Sequence, residues 1–231
     1  MPNENAGAEL PLPIPPELTP DYLVFQSAIS EWLASDRIRA KAIPFLARFG
    51  ALVYEQSDRL SLVARGDRPI LFTRHVLDSL NPIDFLIPPP ESVLDIGSGA
   101  GFPGIPLAIA WPHTRVTLVE SRDKKCGFLE RAVRELGLRN VTVACARLED
   151  YGKQWHAAPH ASVLIRAVGN PAETLSRART AALPGATWVY FLGGDAVADD
   201  VIRTLALRGV SASVVAGHFG GRLLRGDFGQ S

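Results

Sequence analysis

The sequence predicts an α/β fold of the Rossmann-like kind, in which a mostly parallel sheet follows a cap of helices. Two observations predict this fold. Apolar residues recur at helical intervals between residues 21 and 80, and short β-branched runs alternate with amphipathic segments from Glu91 onward. Such alternation is typical of parallel strands joined by crossover helices, because strands buried on both faces are apolar throughout. We therefore expect one main sheet domain behind a helical cap.

The division of the chain follows from its composition. Residues 1–20 are rich in proline and poor in bulky core residues, so we expect a flexible or polyproline-like leader. Residues 21–85 form the predicted helical cap, and residues 86–231 form the predicted main domain. The leader lacks the basic start and apolar run of a secretion signal, and no later stretch reaches the roughly 18 apolar residues of a membrane span. We expect a cytoplasmic protein.

Charge and cysteine content narrow the functional classes. Lys+Arg and Asp+Glu number 24 each in the 231 residues, which argues against nucleic-acid binding through bulk charge. An RNA partner would therefore need a local patch. Cys126 and Cys145 have no spacing typical of a zinc site or a redox dithiol, so we expect two reduced core cysteines and no metal.

The main domain is predicted to contain six strands, four crossover helices and a final edge strand. The strands are expected at Ser92–Ile96, Arg115–Glu120, 141–144, 162–166, 187–192 and 210–215. The helices are expected at 105–110, 124–136, 172–182 and 196–208. The edge strand is expected within residues 220–231, ahead of a loose tail.

A glycine-rich turn after the first strand is the first sign of a ligand site. The segment GSGAGFPG occupies residues 97–104, between an apolar strand and a predicted helix. Glycines let a backbone turn sharply and approach a ligand closely, although turn-rich loops without a ligand share this pattern. The second strand ends in Glu120, 25 residues after Asp95, about the length of one strand–helix–strand unit. We expect Glu120 to accept hydrogen bonds from both hydroxyls of a cofactor ribose; the alternative is a solvated acid.

Two features favour S-adenosylmethionine over a nicotinamide dinucleotide. Asp95 lies at the end of the first strand, just ahead of the glycines, where a carboxylate would repel a pyrophosphate but can face a cationic amino-acid group, directly or through water. Leu148 and Glu149 follow the third strand and can place an apolar contact and an acceptor beside an adenine ring. For Glu149, an ordinary acid at a helix start remains the alternative.

Two longer phrases resemble the glucose-inhibited division protein B family. They are HVLDSL at residues 75–80 and LDIGSGAGFPGIPL at residues 94–107, of which GFPGIPL is much more specific than a generic glycine loop. The resemblance extends from about residue 45 to residue 190. Members of that family methylate N7 of a guanine in small-subunit ribosomal RNA. The resemblance thus implies a class I methyltransferase with a seven-stranded sheet whose last strands are antiparallel, and small-subunit ribosomal RNA or the assembling subunit as partner.

Carried over to this chain, the resemblance implies cofactor contacts at the ends of four strands. These contacts are Gly97 and Phe102 in the loop, Glu120 after strand two, Leu148 and Glu149 after strand three, and Arg166 after strand four. The full predicted cofactor site adds Asp95, Gly99 and Gly101. Arg166 is also the candidate for orienting the substrate, against the alternative of a structural ion pair with Glu149 or Asp150. No other catalytic residue is predicted.

The chain departs from the family pattern at three positions. Leu192 precedes Gly193 where the family tends to place a lysine, and Ile165 replaces the serine before Arg166. The segment at 221–225 replaces a basic-plus-histidine phrase. Cofactor binding is therefore better supported than the RNA target. The alternatives are a non-catalytic module that binds S-adenosylmethionine or RNA, and a methyltransferase acting on an exocyclic amine or a small molecule.

Three other motifs allow more than one interpretation. His75 and Asp78 share a helical face while Ser79 points elsewhere, so a hydrolase triad is improbable, and both a cap–sheet contact and a role at the site rim stay open. Asn170 and Pro171 imitate part of an amine-methyltransferase signature, but we expect a turn that starts a helix. A basic helix face is either solvated or an RNA patch. Its residues are Arg122, Lys124, Lys125, Arg131 and Arg134.

Overall fold

Seven strands form one sheet in the computed structural model, which describes residues 14–34, 38–154, 158–193 and 198–229. The strands are β1 Ser92–Ile96, β2 Arg115–Glu120, β3 Val141–Cys145, β4 His160–Arg166, β5 Ala182–Leu192, β6 Ser213–Ala216 and β7 Arg222–Asp227. Their order is β3-β2-β1-β4-β5-β7-β6. Strands β1 to β5 are parallel, and β7 pairs antiparallel with both β5 and β6.

The helices cover both faces of this sheet. They are α1 Thr19–Ala34, α2 Ala42–Leu60, α3 Asp78–Leu80, α4 Gly104–Ala110, α5 Asp123–Glu135, α6 Leu148–Gln154, α7 Pro171–Ala178 and α8 Ala198–Ala206. A π-helix, Phe72–Leu77, leads directly into α3. Strand β1 is buried at all five positions because it lies in the middle of the parallel part with helices on either side. No helix within the described residues combines the length and apolar character needed to cross a membrane.

The N-terminal helices and the sheet share one hydrophobic core. Phe25 of α1 and Phe49 of α2 belong to the same buried cluster as Val93 of β1 and Leu129 of α5. A second cluster, on the other face, contains Trp188 of β5. Because the first cluster crosses from the helices into the sheet, the helical layer is packed as part of one core and forms a fixed wall above the sheet edge.

A buried carboxylate fixes the start of the π-helix against α1. Asp21 is 7% exposed and accepts hydrogen bonds from the Phe72 backbone N–H at 2.5 Å and from the Thr73 hydroxyl at 2.6 Å. It also accepts from the Thr73 N–H at 3.2 Å. These bonds satisfy the donors that a helix N-terminus leaves unpaired. The π-helix therefore has a defined position over the carboxyl ends of the strands.

Most predicted elements are confirmed with small shifts of their ends. Strands β1 and β2 have the predicted bounds, β4 and β5 begin earlier, and β6 begins later. Residues 1–13 of the predicted leader lie outside the described residues, and its last part is structured, because Pro16–Leu18 forms a 3-10 turn before α1. The start of the predicted helix 196–208 also lies outside the described residues. Helix α6 was not predicted.

Two expectations are wrong. The C-terminal strand β7 is not an edge strand, because it lies between β5 and β6 and leaves β6 at the edge. Cys126 and Cys145 are not reduced core residues, because the structure joins them in a disulfide and Cys145 is exposed. The β2–β3 register places Cys145 beside Glu120, and α5 begins just after Glu120, so the two cysteines meet across this corner.

Asn81 connects the helical layer to the turn between β6 and β7. Its side chain is fully buried, and its Nδ2 donates to Asp78 Oδ1 and to the Gly220 carbonyl, each at 3.0 Å. Its Oδ1 accepts from the Phe219 N–H at 3.0 Å. The Phe219 ring packs on Trp32 with centroids 4.4 Å apart. One amide thus holds the C-terminal hairpin against the N-terminal helices.

Replacing Asn81 should weaken the whole fold. Asn81→Ala removes three hydrogen bonds made by a fully buried amide, which costs about 2–3 kcal/mol in the free energy of unfolding. Urea unfolding followed by circular dichroism measures this loss. The control is Thr204→Ala, an exposed position on α8, which should change stability by less than about 0.5 kcal/mol. Equal stability of both variants would show that the hairpin does not depend on Asn81.

Candidate active site

The loop between β1 and α4 has a conformation that requires glycine. Gly97 has a φ of +68°, and a Cβ there would lie 2.4 Å from Cγ2 of Val168. Gly101 has a φ of +94°, and a Cβ there would lie 2.7 Å from Cδ1 of Ile105. Each position combines a left-handed backbone with a contact that excludes a side chain. The loop can therefore lie close to the segment that follows β4.

Glu120 ties this loop to the turn after β2. Its carboxylate is 7% exposed, and Oε2 accepts a hydrogen bond from the Gly99 N–H at 2.9 Å. Its Oε1 accepts from the N–H groups of Ser121 at 2.8 Å and Arg122 at 2.9 Å. Hydrogen bonds to a charged acceptor contribute roughly 1.5–3 kcal/mol each. The acid predicted to bind a ribose thus also shapes the loop.

Asp95 lies beneath the loop and does not line the cleft above it. Its side chain is fully buried, and Oδ2 accepts from the N–H of Gly104, the first residue of α4, at 3.1 Å. Oδ1 is buried without a hydrogen-bond partner in the structure. Burial raises the pKa of Asp95 to about 7. The expected contact with a cofactor amino group therefore differs from what is seen, since Asp95 caps α4 from below.

A cleft of about 570 Å³ opens over the loop at the carboxyl ends of the strands. Its walls come from residues within 62–64, 97–102, 120–125 and 166–169, together with His75. A neighbouring cavity of about 290 Å³ contains Leu148 and Glu149 and shares Gly97, Ser121 and Val168 with the cleft. The cleft lies at the ends of β1 and β4, where the strand order reverses, and doubly wound sheets bind ligands at such points.

A second cavity, of about 660 Å³, lies beside the cleft under the π-helix. Its lining includes the carboxylates of Asp67 and Asp78 and the exposed guanidinium of Arg74. Phe191 and Leu192 close it at the end of β5, and residues 219–222 close it at the β6–β7 turn. Of the described residues, the cleft and this cavity share His75, Arg166 and Ala167. We call the place where they meet the junction.

Arg166 is held at the junction by five contacts with the segment 74–79. Its Nη2 lies 2.8 Å from Asp78 Oδ2, 3.3 Å from His75 Nδ1 and 3.1 Å from the Arg74 carbonyl. Its Nη1 donates to Ser79 Oγ at 3.1 Å and lies 3.4 Å from the His75 carbonyl. The ion pair is therefore with Asp78, and the alternative of a pair with Glu149 or Asp150 is wrong. Glu149 pairs with Arg177 instead.

His75 is neutral in this environment. Burial, Arg166 and Arg74 lower the pKa of His75 to about 4, and Asp67 opposes the shift. Its ring stacks on Phe102 with centroids 5.3 Å apart, and Phe102 in turn packs edge-on against Phe49 at 5.1 Å. The expected contact between cap and sheet at the HVLDSL phrase is confirmed, because His75, Asp78 and Ser79 all contact Arg166 of β4.

The predicted site residues fall into three groups. Gly97, Gly99, Phe102, Glu120 and Arg166 line the cleft, and Leu148 and Glu149 line the adjoining cavity. Asp95 and Gly101 line neither, and both support the loop from within. Two features were missed in the sequence. They are the covering segment 62–64, and Asp67, whose Oδ2 lies 3.2 Å from His75 Nε2. No periodic signal marks either one.

Asn170 caps α7, because its side chain accepts the Glu173 N–H at 3.2 Å, so the helix-start interpretation is confirmed. The basic residues at and within α5 lie in different surroundings, because Arg122 and Lys125 line the cleft while Arg131 pairs with Glu135 at 2.6 Å. An RNA patch on this helix stays a prediction. Within the described residues, no group of three or more His, Cys, Asp or Glu side chains is arranged to hold a metal ion.

The fold belongs to a known structural class. The O-methyltransferase TomG from Streptomyces achromogenes, solved in complex with SAM, has a TM-score of 0.54 at 20% identity, covering 80% of this chain and 90% of that one. At such low identity the likeness shows the fold alone. Together with the sheet order, it defines a Rossmann-like class I methyltransferase fold, which confirms the predicted fold class.

Sequence comparison identifies the family within this class. The GidB family model, described as rRNA small subunit methyltransferase G, matches residues 42–208. A "Ribosomal RNA small subunit methyltransferase G" from Roseiflexus castenholzii is 38% identical over 168 residues, covering 72% of this chain and 71% of the relative. The chain belongs to the rRNA small subunit methyltransferase G family, and the resemblance drawn from its motifs is confirmed.

Two further relatives of the same name match over a shorter length. The protein from Lactococcus lactis subsp. lactis is 36% identical over 138 residues, which are 59% of this chain and 56% of the relative. The protein from Stenotrophomonas maltophilia is 42% identical over 130 residues, which are 56% of this chain and 60% of the relative. The chain thus spans somewhat more than half the length of these curated relatives.

Removing the charge of Asp95 should change how stability depends on pH. The pKa of Asp95 is about 7 when folded, against an ordinary value of 3.8, so the folded protein holds a proton that the unfolded chain releases between these values. Stability therefore falls as pH rises through this window. The Asp95→Asn variant has no carboxyl group to titrate here, so its stability does not fall for this reason. As pH rises from about 4 to 7, its stability relative to the natural protein should increase by up to roughly 1.4 kcal/mol per pH unit.

Thermal unfolding from pH 4 to pH 8 measures the effect. Asp199→Asn, at an exposed position near the start of α8, is the matched control for losing one carboxylate. Curves for the Asp95 variant and the natural protein that run parallel across the whole range would contradict a buried, protonated Asp95.

Proposed function

We propose that this protein is an S-adenosylmethionine-dependent methyltransferase that methylates N7 of a guanine in small-subunit (16S) ribosomal RNA. One observation carries the proposal: a cleft over a glycine loop and a strand-end acid meets a second cavity at a narrow junction. Two adjoining spaces suit a methyl donor and a methyl acceptor, because their reacting atoms must face each other. Family membership supports methylation of small-subunit ribosomal RNA, which the relatives' name states for them.

The cofactor is proposed to lie along the cleft, with its adenine in the cavity beside Leu148 and Glu149. Glu120 accepts one ribose hydroxyl on Oε2, because its oxygens already accept three backbone N–H groups and a carboxylate has about four acceptor sites. This revises the expectation that it accepts both hydroxyls. The cofactor supplies a methyl group on a cationic sulfur, and the sulfur faces the junction.

The guanine is proposed to occupy the second cavity with N7 facing the junction. N7 carries a lone pair in the ring plane and no proton, so its attack on the methyl group needs no general base. Positioning then supplies most of the rate enhancement. The carboxylates of Asp67 and Asp78 line this cavity, and they stabilise the positive charge that the base acquires on methylation.

The RNA backbone is proposed to lie at the mouth of the second cavity, against Arg74 and Arg222. Both guanidinium groups belong to exposed residues of the lining, and phosphate contacts position a nucleic acid without reading its sequence. Arg222 is opposite Leu192 in the β5–β7 register. It therefore offers a cation on the strand beside the position where family members tend to have a lysine. The partner is ribosomal RNA or the assembling small subunit in the cytoplasm.

Methyl transfer to ribosomal RNA tests the proposal directly. The protein is incubated with labelled S-adenosylmethionine and with small subunits or naked 16S RNA, and nucleosides are analysed by mass spectrometry. The proposal expects 7-methylguanosine. Label in an exocyclic amine, or cofactor binding without transfer to any RNA, would contradict it and favour one of the alternative functions.

Glu120→Gln should abolish tight cofactor binding. A glutamine has one oxygen, so its NH₂ group must face at least one backbone N–H that Glu120 accepts. We expect at least a tenfold loss of S-adenosylmethionine affinity by calorimetry, which corresponds to about 1.4 kcal/mol. Glu130→Gln, an exposed position on α5, is the matched control and should bind normally. Unchanged affinity in a folded Glu120 variant would remove this residue from the site.

A further inference from the structure

The junction is the place where the two spaces of the proposed reaction path meet, and one imidazole lines both of them. Of the described residues, the cleft and the second cavity share His75, Arg166 and Ala167. Ala167 has a left-handed φ of +54°, which turns the chain sharply where β4 ends. Arg166 is held there by the side chains of Asp78 and Ser79 in α3, by two backbone carbonyls and by His75 of the π-helix. Of these side chains, His75 is the one that itself lines both spaces.

The contacts of His75 determine which nitrogen carries its proton. Nδ1 lies 3.3 Å from Arg166 Nη2, and a guanidinium can only donate, so Nδ1 is an unprotonated acceptor. A neutral imidazole carries one hydrogen, which is therefore on Nε2; this nitrogen lies 3.2 Å from Asp67 Oδ2 but makes no hydrogen bond in the structure. The ring plane is fixed by stacking on Phe102 with an interplanar angle of 26°. The contact with Arg166 and the stacking on Phe102 therefore fix the position of the ring, with Asp67 close to its other nitrogen.

The charges around the imidazole require it to stay neutral. Arg74 and Arg166 are the cations next to it, and Asp67 and Asp78 are the nearby carboxylates, each already paired with one of these arginines. Protonation at Nδ1 would remove the acceptor of the Arg166 contact. It would also place a second cation 3.3 Å from the guanidinium, where the cationic methyl donor is proposed to approach.

We propose that His75, as a neutral imidazole protonated on Nε2, is a positioning residue that holds Arg166 at the junction for methyl transfer. The inference rests on the proposed function, because it assumes that cofactor and guanine meet there. His75 neither takes nor gives a proton in the reaction. It acts through Arg166, whose planar fork orients an RNA phosphate.

Two substitutions separate the two nitrogens. His75→Asn retains an acceptor at the position of Nδ1 and loses Nε2, whereas His75→Gln retains a polar group near Nε2 and loses Nδ1. We expect kcat of the Asn variant to stay within about tenfold of the natural protein, and kcat of the Gln and Ala variants to fall about 100-fold. The dissociation constant for S-adenosylmethionine should change less than about threefold in all of them, since Glu120 and the loop are intact.

Chemical rescue by imidazole distinguishes a positioning role of His75 from a purely structural one. His75→Ala leaves a space that opens to both cavities, so imidazole in the assay should restore turnover above pH 7.5 and much less below pH 6, where free imidazole is protonated. Thermal unfolding of each variant confirms that it is folded. Equal losses in the Asn and Gln variants, or rescue that is strongest at low pH, would overturn the inference.

Crystal structures of the variants separate the inference from the proposed function. The Arg166 guanidinium should keep its place in His75→Asn and leave Asp78 in His75→Gln. If the natural protein transfers no methyl group to any RNA, the proposed function fails, and the guanidinium positions still decide whether His75 holds Arg166. An unmoved Arg166 in His75→Gln would overturn the positioning role even if methylation is observed.

Discussion

The carboxylate of Glu120 is the interaction on which the rest of the site depends. It joins two turns, after β1 and after β2, through three backbone N–H groups. A loop with left-handed glycines has few conformational preferences of its own, so an external acceptor must select one conformation. Removing that acceptor would break three half-buried hydrogen bonds to a charged group, which contribute more than bonds between neutral groups. The shape of the cleft above the loop therefore depends on Glu120.

The second cavity depends on how the N-terminal helices meet the sheet. Arg166 at the end of β4 pairs with Asp78, and Asp78 in turn accepts from Asn81, which holds the β6–β7 turn. A buried ion pair adds little net stability by itself, because desolvation offsets most of the attraction. Its effect is geometric: it sets the helical layer, the end of β4 and the hairpin in one arrangement. The two cavities therefore share a boundary that cannot shift without breaking several bonds.

The sequence predicted the sheet and the cofactor loop well for local reasons. Strands β1 and β2 are short apolar runs that end at a glycine turn and an acid, so their bounds can be read directly. The position of β7 depends on pairing with β5 and β6, and the Cys126–Cys145 bond depends on the β2–β3 register, so neither has a local signal. Contacts between residues distant in the sequence also decide that Glu149 pairs with Arg177 and that Arg166 pairs with Asp78.

The HVLDSL phrase shows why the substrate side was harder to predict. Ser79 was expected to point away from His75 and Asp78, yet all three contact Arg166, because residues four apart also share a helical face. A π-helix over Phe72–Leu77 overlaps the first part of this phrase, and such segments are frequent at functional sites. Asp95 lies two residues before the first glycine, and its side chain is fully buried beneath the loop, so its place in the sequence did not show which way it faces.

A crystal structure with S-adenosylhomocysteine bound tests the central claim most directly. The account predicts the adenine beside Leu148, a ribose hydroxyl on Oε2 of Glu120, and the sulfur facing the junction of His75, Arg166 and Ala167. The Gly99 N–H should remain bonded to Glu120. Ligand density outside the cleft, or a sulfur directed away from the second cavity, would contradict the account, because donor and acceptor could not then meet at the junction.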